Sequence, residues 1–245
     1  MKQSRKKPPL PTFSEKELTV RKMFDRIAPR YDFLNRLITF GLDTRWRKKT
    51  VRHMHAHPGG KVLDVACGTG DLCDSLHKAG IKAVGMDFSR GMLKSFNSNA
   101  PLINGDALKI PIHDSSVNGV TCGFALRNFL DINPFLKEVV RILKPGSRVA
   151  ILEVDEPENR YIKTVHSFYF NKIVPLIGGL FSDKAAYSYL PSSVIYLPEK
   201  NEIIKMIEQS GLSNVKKNPT YWWNSSASRC RKTKKLRRDQ KGYCQ

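Results

Sequence analysis

The stretch VLDVACGTGDL, residues 62–72, runs from an apolar segment through a glycine turn into polar residues that can open a helix. A short apolar run closed by glycines reads as a buried parallel strand. A helix starting straight after the turn aims backbone N–H groups at whatever binds there. Gly68 and Gly70 let the backbone approach a ligand closely, and Asp87 closes the next apolar run, 17 residues after Gly70. At that place a carboxylate can take both hydroxyls of a ribose. The third glycine of a G-x-G-x-x-G dinucleotide turn is missing, because position 73 is Cys.

Working outward, KVLDVA (61–66), KAVGMD (82–87), VNGVTCG (117–123) and RVAILEV (148–154) are apolar runs of one kind, separated by helical segments. This alternation predicts an α/β fold with a doubly wound, Rossmann-like sheet. Ahead of it, Ser14 to Glu17 reads as a capping box. Val20, Met23, Phe24 and Ile27 then fall on one helix face. Further helices are expected over DFLNRLITF (32–40) and DTRWRKKTVRHM (43–54). Residues 156–196 interrupt the alternation with an apolar segment broken by Pro175 and Gly178-Gly179, too broken for a membrane span. It reads either as a core-covering helix pair or as a lid over an apolar substrate. A helix ending at Gly211 and a strand over SNVKKNP (213–219) follow. The expected organisation is a flexible basic N-terminus (1–13), a catalytic domain (14–219) with a lid-like insertion (156–196), and a basic tail (220–245).

The 245 residues carry a formal charge of +20, which points to an anionic partner such as nucleic acid or a lipid surface. The segment from Lys216 onward holds ten Lys/Arg against one Asp, so it supplies +9 of that total. The basic start lacks the apolar core of a signal peptide, which leads to the expectation of a cytoplasmic protein. Cys67, Cys73, Cys122, Cys230 and Cys244 form no CxxC pair and no metal spacing, so reduced thiols and no metal are expected. His53, His55 and His57 alternate on a polar segment and are expected to face solvent.

The glycine turn, Asp64 in the first strand, Asp87 after the second and NGDALKIP (104–111) after the third together resemble the class I S-adenosylmethionine-dependent methyltransferases. The resemblance implies that Asp64 and Gly68-Thr69-Gly70 hold the methionine end of S-adenosylmethionine. It also implies that Asp87 binds the ribose, that Asp106 with Ala107 reaches the adenine, and that Gly123 belongs to the cofactor site. Two longer stretches, FDRIAPRYDFLNRLITFGLDTRW (24–46) and RILKPGSRVAILEVDEP (141–157), with FALRNF (124–129), are similar to the quinone C-methyltransferases of ubiquinone and menaquinone biosynthesis. Leu34, Thr39, Asp43, Gly123, Ala125 and Ser147 depart from that family's usual residues. What is implied is methylation of a polyprenyl hydroquinone, with demethylmenaquinol the preferred choice, in peripheral contact with a membrane surface.

Methylating a ring carbon requires the adjacent phenol to lose its proton. Arg127 suits stabilisation of the developing phenolate and Asn128 its orientation, while Tyr31 and Asp32 can close the proton path. On the residues alone, Arg127 equally suits an ion pair with an acid, Tyr31 a core aromatic position and Asp32 a helix cap. The alternative function is methylation of RNA or another nucleic acid, raised by the charge. Against it, strand four lacks the Asn/Asp-Pro-Pro-Tyr/Phe loop of amino-group methylation, and no Pro-Cys nucleophile is present. No nucleic-acid partner is therefore expected. A third reading is a folded remnant that binds cofactor or quinone without turnover.

The tail YWWNSSASRCRKTKK (221–235) stands where such a sheet needs an apolar interior strand, and its residues are mostly polar or charged. Tryptophan has a single codon, so Trp222-Trp223-Asn224 read one base later must give Gly-Gly. Tyr221 through Ser228 can then spell T-G-G-I-V-A-L-H/Q, the strand the family resemblance calls for. The expectation is that the chain runs out of frame from about Pro219 and that the final strand is lost.

Overall fold

The computed structural model describes residues 13–129, 131–154, 159–183, 186–187, 189, 193–220 and 225–232. The N-terminal residues 1–12, expected to be flexible, and the tail beyond 232 lie outside them. Seven strands form one sheet in the order β3-β2-β1-β4-β5-β7-β6. They are β1 (Lys61–Val65), β2 (Lys82–Asp87), β3 (Leu102–Asn104), β4 (Val117–Gly123), β5 (Leu143–Val154), β6 (Leu212–Thr220) and β7 (Ser225–Lys232). The first five pair in parallel, and β7 runs antiparallel to both β5 and β6. Strands β1 and β4 are buried almost throughout, which is why they read as unbroken apolar runs.

Helices cover both faces. On one, α6 (Ile132–Ile142) and α9 (Lys200–Gln209) pack Phe135, Leu136, Val139 and Ile207 against Leu63, Val120 and Val149 of the sheet. On the other, α3 (Leu42–Met54) and α4 (Asp71–Lys78) bring Val51, Met54, Cys73 and Leu76 against Val62 and Ala83. Between β2 and β3 lies α5 (Arg90–Lys94). Gly211, at φ +94°, turns the chain out of α9 into β6.

The N-terminal helices α1 (Phe13–Ile27) and α2 (Tyr31–Thr39) form a cap over the C-terminal ends of the first strands. Ser14 lies inside α1 rather than before it. The side chain of Asp25 ties α1 down, accepting from the Gly91 N–H at 2.7 Å and the Ser89 hydroxyl at 2.6 Å. Ile27, Leu34 and Ile38 share a third apolar cluster with Val174 and Tyr187 of the insertion. The insertion itself is α7 (Arg160–Phe168), a π-helical turn (Tyr169–Ile173) and α8 (Val174–Phe181), with helical backbone angles at each junction.

The expected loss of the final strand is not what the backbone does. Ser225–Lys232 fills the interior slot, in register from Arg148 opposite Arg231 to Val154 opposite Ser225. Ladder hydrogen bonds use only N–H and C=O groups, so the slot can be paired by a chain whose side chains do not suit it.

Candidate active site

The strand–turn–helix at residues 61–78 sets the floor of a cavity of about 1000 Å³ with its open mouth. Gly68, at φ +56°, lines it with nothing within 4 Å of where a Cβ would stand. Gly70, at φ +97°, faces elsewhere: a Cβ there would meet the Phe96 ring at 2.6 Å. Its glycine lets α4 pack rather than a ligand approach. Asp87 reaches back to the turn, accepting from the Gly68 N–H at 2.8 Å and the Ser89 N–H at 2.8 Å. Burial raises its pKa above the usual carboxylate range, against the lowering effect of those N–H groups. Asp106, Ala107, Gly123 and Asn128 complete the wall, and Val20 and Phe24 of α1 with Tyr31 close it from above. Asp106 is oriented by the Leu108 N–H, 2.8 Å from its Oδ1.

These residues fit S-adenosylmethionine. Each pinned oxygen of Asp87 retains a lone pair for a ribose hydroxyl. Asp106 offers an acceptor beside the apolar wall of Ala107, Leu108 and Phe129, and Gly68 leaves open space where any other residue would place a Cβ.

A smaller cavity of about 360 Å³ adjoins at the turn, lined by Asp64, Gly68, Thr69 and Asp71 with Tyr31, Arg47 and Gly123. Asp64 is 1% exposed, and its oxygens accept from the Thr121 hydroxyl at 2.8 Å and the Cys73 thiol at 3.5 Å. Burial pushes its pKa up to about 7. Thr69 donates its hydroxyl to Asp32 at 2.5 Å, which brings the N-terminal cap onto the glycine turn. Burial also raises the pKa of Asp32, partly offset by that hydrogen bond.

A third cavity, about 750 Å³, lies beyond Phe124. Tyr31 and Phe124 line all three cavities, so they stand at the junction. Phe124 holds φ +58°, its N–H bonded to Leu152 O at 2.6 Å, with Trp46 edge-on and the Arg47 guanidinium 5.5 Å from its ring centre. Such a backbone in a non-glycine residue persists only where its surroundings enforce it. The Arg-Asn loop then divides. Asn128 faces the first cavity, with the Tyr189 hydroxyl 3.5 Å from its Oδ1. Arg127 lines the third cavity while ion-paired to Glu153, both buried. Tyr31 stands opposite, its pKa raised by burial.

The structure therefore groups Tyr31, Asp64, Gly68, Thr69, Asp87, Asp106, Ala107, Gly123, Arg127 and Asn128 around adjoining cavities, with Asp32 lining none of them but bonded to Thr69, and Gly70 set back behind Phe96. Reading the sequence missed three features. His166 and Phe170, stacked at 4.4 Å between ring centres, line the third cavity from the insertion. Glu153 is the acid that pairs Arg127. Arg36 and Arg47 both clamp buried Asp43, and both reach Asp71, at 2.7 and 3.3 Å, locking the cap to the start of α4. Only the Asp43–Arg47 pair, spaced i,i+4 on a helix, carried a local signal. Of the three alternating histidines, His55 and His57 are exposed and His53 is half-buried. No group of three His, Cys, Asp or Glu able to hold a metal occurs among the described residues.

Comparison with known proteins agrees with this geometry. The chain is 40% identical over 214 residues to the ubiquinone/menaquinone biosynthesis C-methyltransferase UbiE of Geobacter sulfurreducens, covering 82% of this chain and 84% of that one. It is 39% identical to the demethylmenaquinone methyltransferase of Deinococcus radiodurans over 215 residues, 84% of this chain and 89% of that one. Among solved structures, the fold matches the putative methyltransferase solved with the Haloferax volcanii Trm112 activator. That match has a TM-score of 0.61 at 19% identity, covering 86% of this chain and 98% of that one. The model of the ubiE/COQ5 methyltransferase family matches residues 12–221, and this chain belongs to that family.

Proposed function

We propose that the protein transfers a methyl group from S-adenosylmethionine to a ring carbon of a polyprenyl hydroquinone, and that demethylmenaquinol is its substrate. The observation that carries this reading is the junction at Tyr31 and Phe124. A cofactor-sized cavity meets a second one, lined by Trp46, Phe170 and Ile38 with two guanidiniums at its wall, Arg47 and Arg127. A flat aromatic substrate with ionisable ring oxygens suits that lining. The relatives in Geobacter sulfurreducens and Deinococcus radiodurans carry quinone-methylating names, which supports the substrate class.

When bound, S-adenosylmethionine supplies a methyl group on a cationic sulfur, open to attack by an electron-rich carbon. The chain's part is to make the ring carbon electron-rich. The imidazole of His166 accepts the phenolic proton, as the residue type that most readily does so near neutral pH. Arg127 balances the oxygen anion, held in place by Glu153, and Asn128 orients the ring from the cofactor side. After transfer, the ring C–H proton leaves to water and His166 returns its proton to the oxygen. The hydroquinone is restored and one proton is released overall. The prenyl chain keeps such a substrate in a bilayer, so the same reading has the enzyme working in the cytoplasm, in peripheral contact with the inner face of the membrane.

Purified protein given methyl-labelled S-adenosylmethionine, with short-chain demethylmenaquinol in one arm and RNA in another, tests the proposal. Label is expected in the quinol; label in RNA alone overturns the reading.

A further inference from the structure

A surface helix ordinarily turns its apolar side inward and its polar side to water. The helix running from Arg160 through the π-turn to Phe181 does not. Its inner side packs Val174 and Gly178 on Tyr187 and presents His166 and Phe170 to the third cavity. Its outer side is also apolar: Val165, Phe168, Leu176 and Leu180 are 68%, 62%, 59% and 72% exposed. These recur at helical spacing, with the π-turn adding the residue that keeps Leu176 and Leu180 in line with Val165 and Phe168.

The neighbouring α2 extends the surface. Phe33 meets Phe181 at 6.0 Å between ring centres, and Phe40 meets Tyr169 at the same distance. Both Phe33 and Phe40 are exposed. The Tyr169 hydroxyl bonds Ile38 O at 2.8 Å, and Arg30 bonds Phe181 O at 2.7 Å, so the two helices are fastened side by side. From Arg160 to Phe181 there is no Asp or Glu, while Arg160, Lys163 and Lys172 are exposed on the same helix.

We infer that this face seats the enzyme on an anionic bilayer, with the apolar stripe among the acyl chains and the cations on lipid phosphates. An in-plane helix with one face in the acyl boundary and cations beside it is held by both effects together. A second copy of the chain fits less well. A twofold interface on this face would set Arg160, Lys163 and Lys172 of each copy against the other's, with no acid on the helix to offset them. The inference rests on the proposed polyprenyl substrate and adds a route for it. One helix has its outer face in the bilayer and its inner face on the reaction cavity, so a ring anchored by its tail can enter without leaving the membrane.

The test uses the full chain and vesicles of equal parts phosphatidylglycerol and phosphatidylcholine. Phe168→Ser with Leu176→Ser should lower vesicle partitioning by roughly tenfold or more, since two side chains leave the acyl region. Turnover of a prenyl-free demethylnaphthoquinol should stay at the wild-type level. A second variant, Phe168→Trp, should bind normally, and the emission it adds over the wild type should be quenched by brominated acyl chains. Equal partitioning of the double variant, or an unquenched tryptophan on bound protein, overturns the inference. So does light scattering that finds a dimer which the double variant dissolves without change in vesicle binding. Failure of the methyltransferase reading would look different: no turnover of the prenyl-free substrate by the wild type, whatever the vesicles show.

Discussion

Replacing Asp64 with asparagine should stabilise the ligand-free protein increasingly as pH rises, relative to the wild type. Asp64 is buried on β1 with only a hydroxyl and a thiol at its oxygens, and burial lifts its pKa from 3.8 to about 7. In the unfolded chain the carboxyl ionises near its ordinary value; in the folded protein it holds its proton longer. Between those two values the native state binds more protons than the unfolded state, so stability falls as pH rises. The cost is absent below the unfolded value and complete above the folded one. A shift of about three units at 1.36 kcal/mol each corresponds to about 4 kcal/mol. Asparagine carries no such charge, so the variant escapes the pH-dependent part, whatever constant cost its amide adds. Urea unfolding of both proteins at steps from about pH 4 to about pH 8 measures this. The stability difference, variant minus wild type, should rise by several kcal/mol across the range, with most of the change complete near neutrality. A difference that stays flat would mean that Asp64 ionises as easily folded as unfolded, the opposite of what its burial implies.

Glu153→Gln leaves the Arg127 guanidinium buried without its counter-charge, and should cost roughly 3–5 kcal/mol in urea unfolding. A cost near zero would mean that the pair is solvated. His166→Ala should lower kcat roughly a hundredfold or more, and added imidazole should restore part of it. A kcat near the wild-type value would remove the imidazole from the proton path. We propose that the coding sequence is out of frame from about residue 219; replacing residues 221–227 with T-G-G-I-V-A-L puts apolar side chains into the interior slot of β7. That should raise stability by roughly 1.5–3 kcal/mol for each fully buried aliphatic side chain, read as a higher Tm. An unchanged Tm, together with re-sequencing that finds no shift, would remove the proposal.

Much of the sheet was legible because parallel strands covered on both sides are contiguous apolar runs. KAVGMD and VNGVTCG match β2 and β4 residue for residue. That Gly68, Asp87, Asp106 and Gly123 come together at one cavity was legible because each sits at or just after a strand end, where local spacing places it. Other parts were set by contacts distant in sequence. Arg127 and Glu153 stand 26 residues apart on neighbouring strand ends, and nothing local couples them. His166 enters the site only because Val174 and Tyr187 fasten the insertion onto Ile27 and Leu34 of the cap. Gly70 read as a ligand contact, because a glycine freed for packing and one freed for a ligand look alike in sequence. β7 shows a different limit. Side-chain pattern argued against a strand at Ser225–Lys232, yet the open edges of β5 and β6 offered it a full ladder.

Methyl transfer is expected to reach a ring carbon at the junction of the two cavities that meet at Tyr31 and Phe124. The most direct measurement follows a ¹³C-labelled methyl group from S-adenosylmethionine into short-chain demethylmenaquinol by NMR. A single new methyl resonance is expected at an aromatic-carbon methyl shift, lost when Arg127→Ala replaces the wild type. A resonance at a methyl-ether shift, or a carbon-bound methyl formed undiminished by the Arg127→Ala protein, would contradict it.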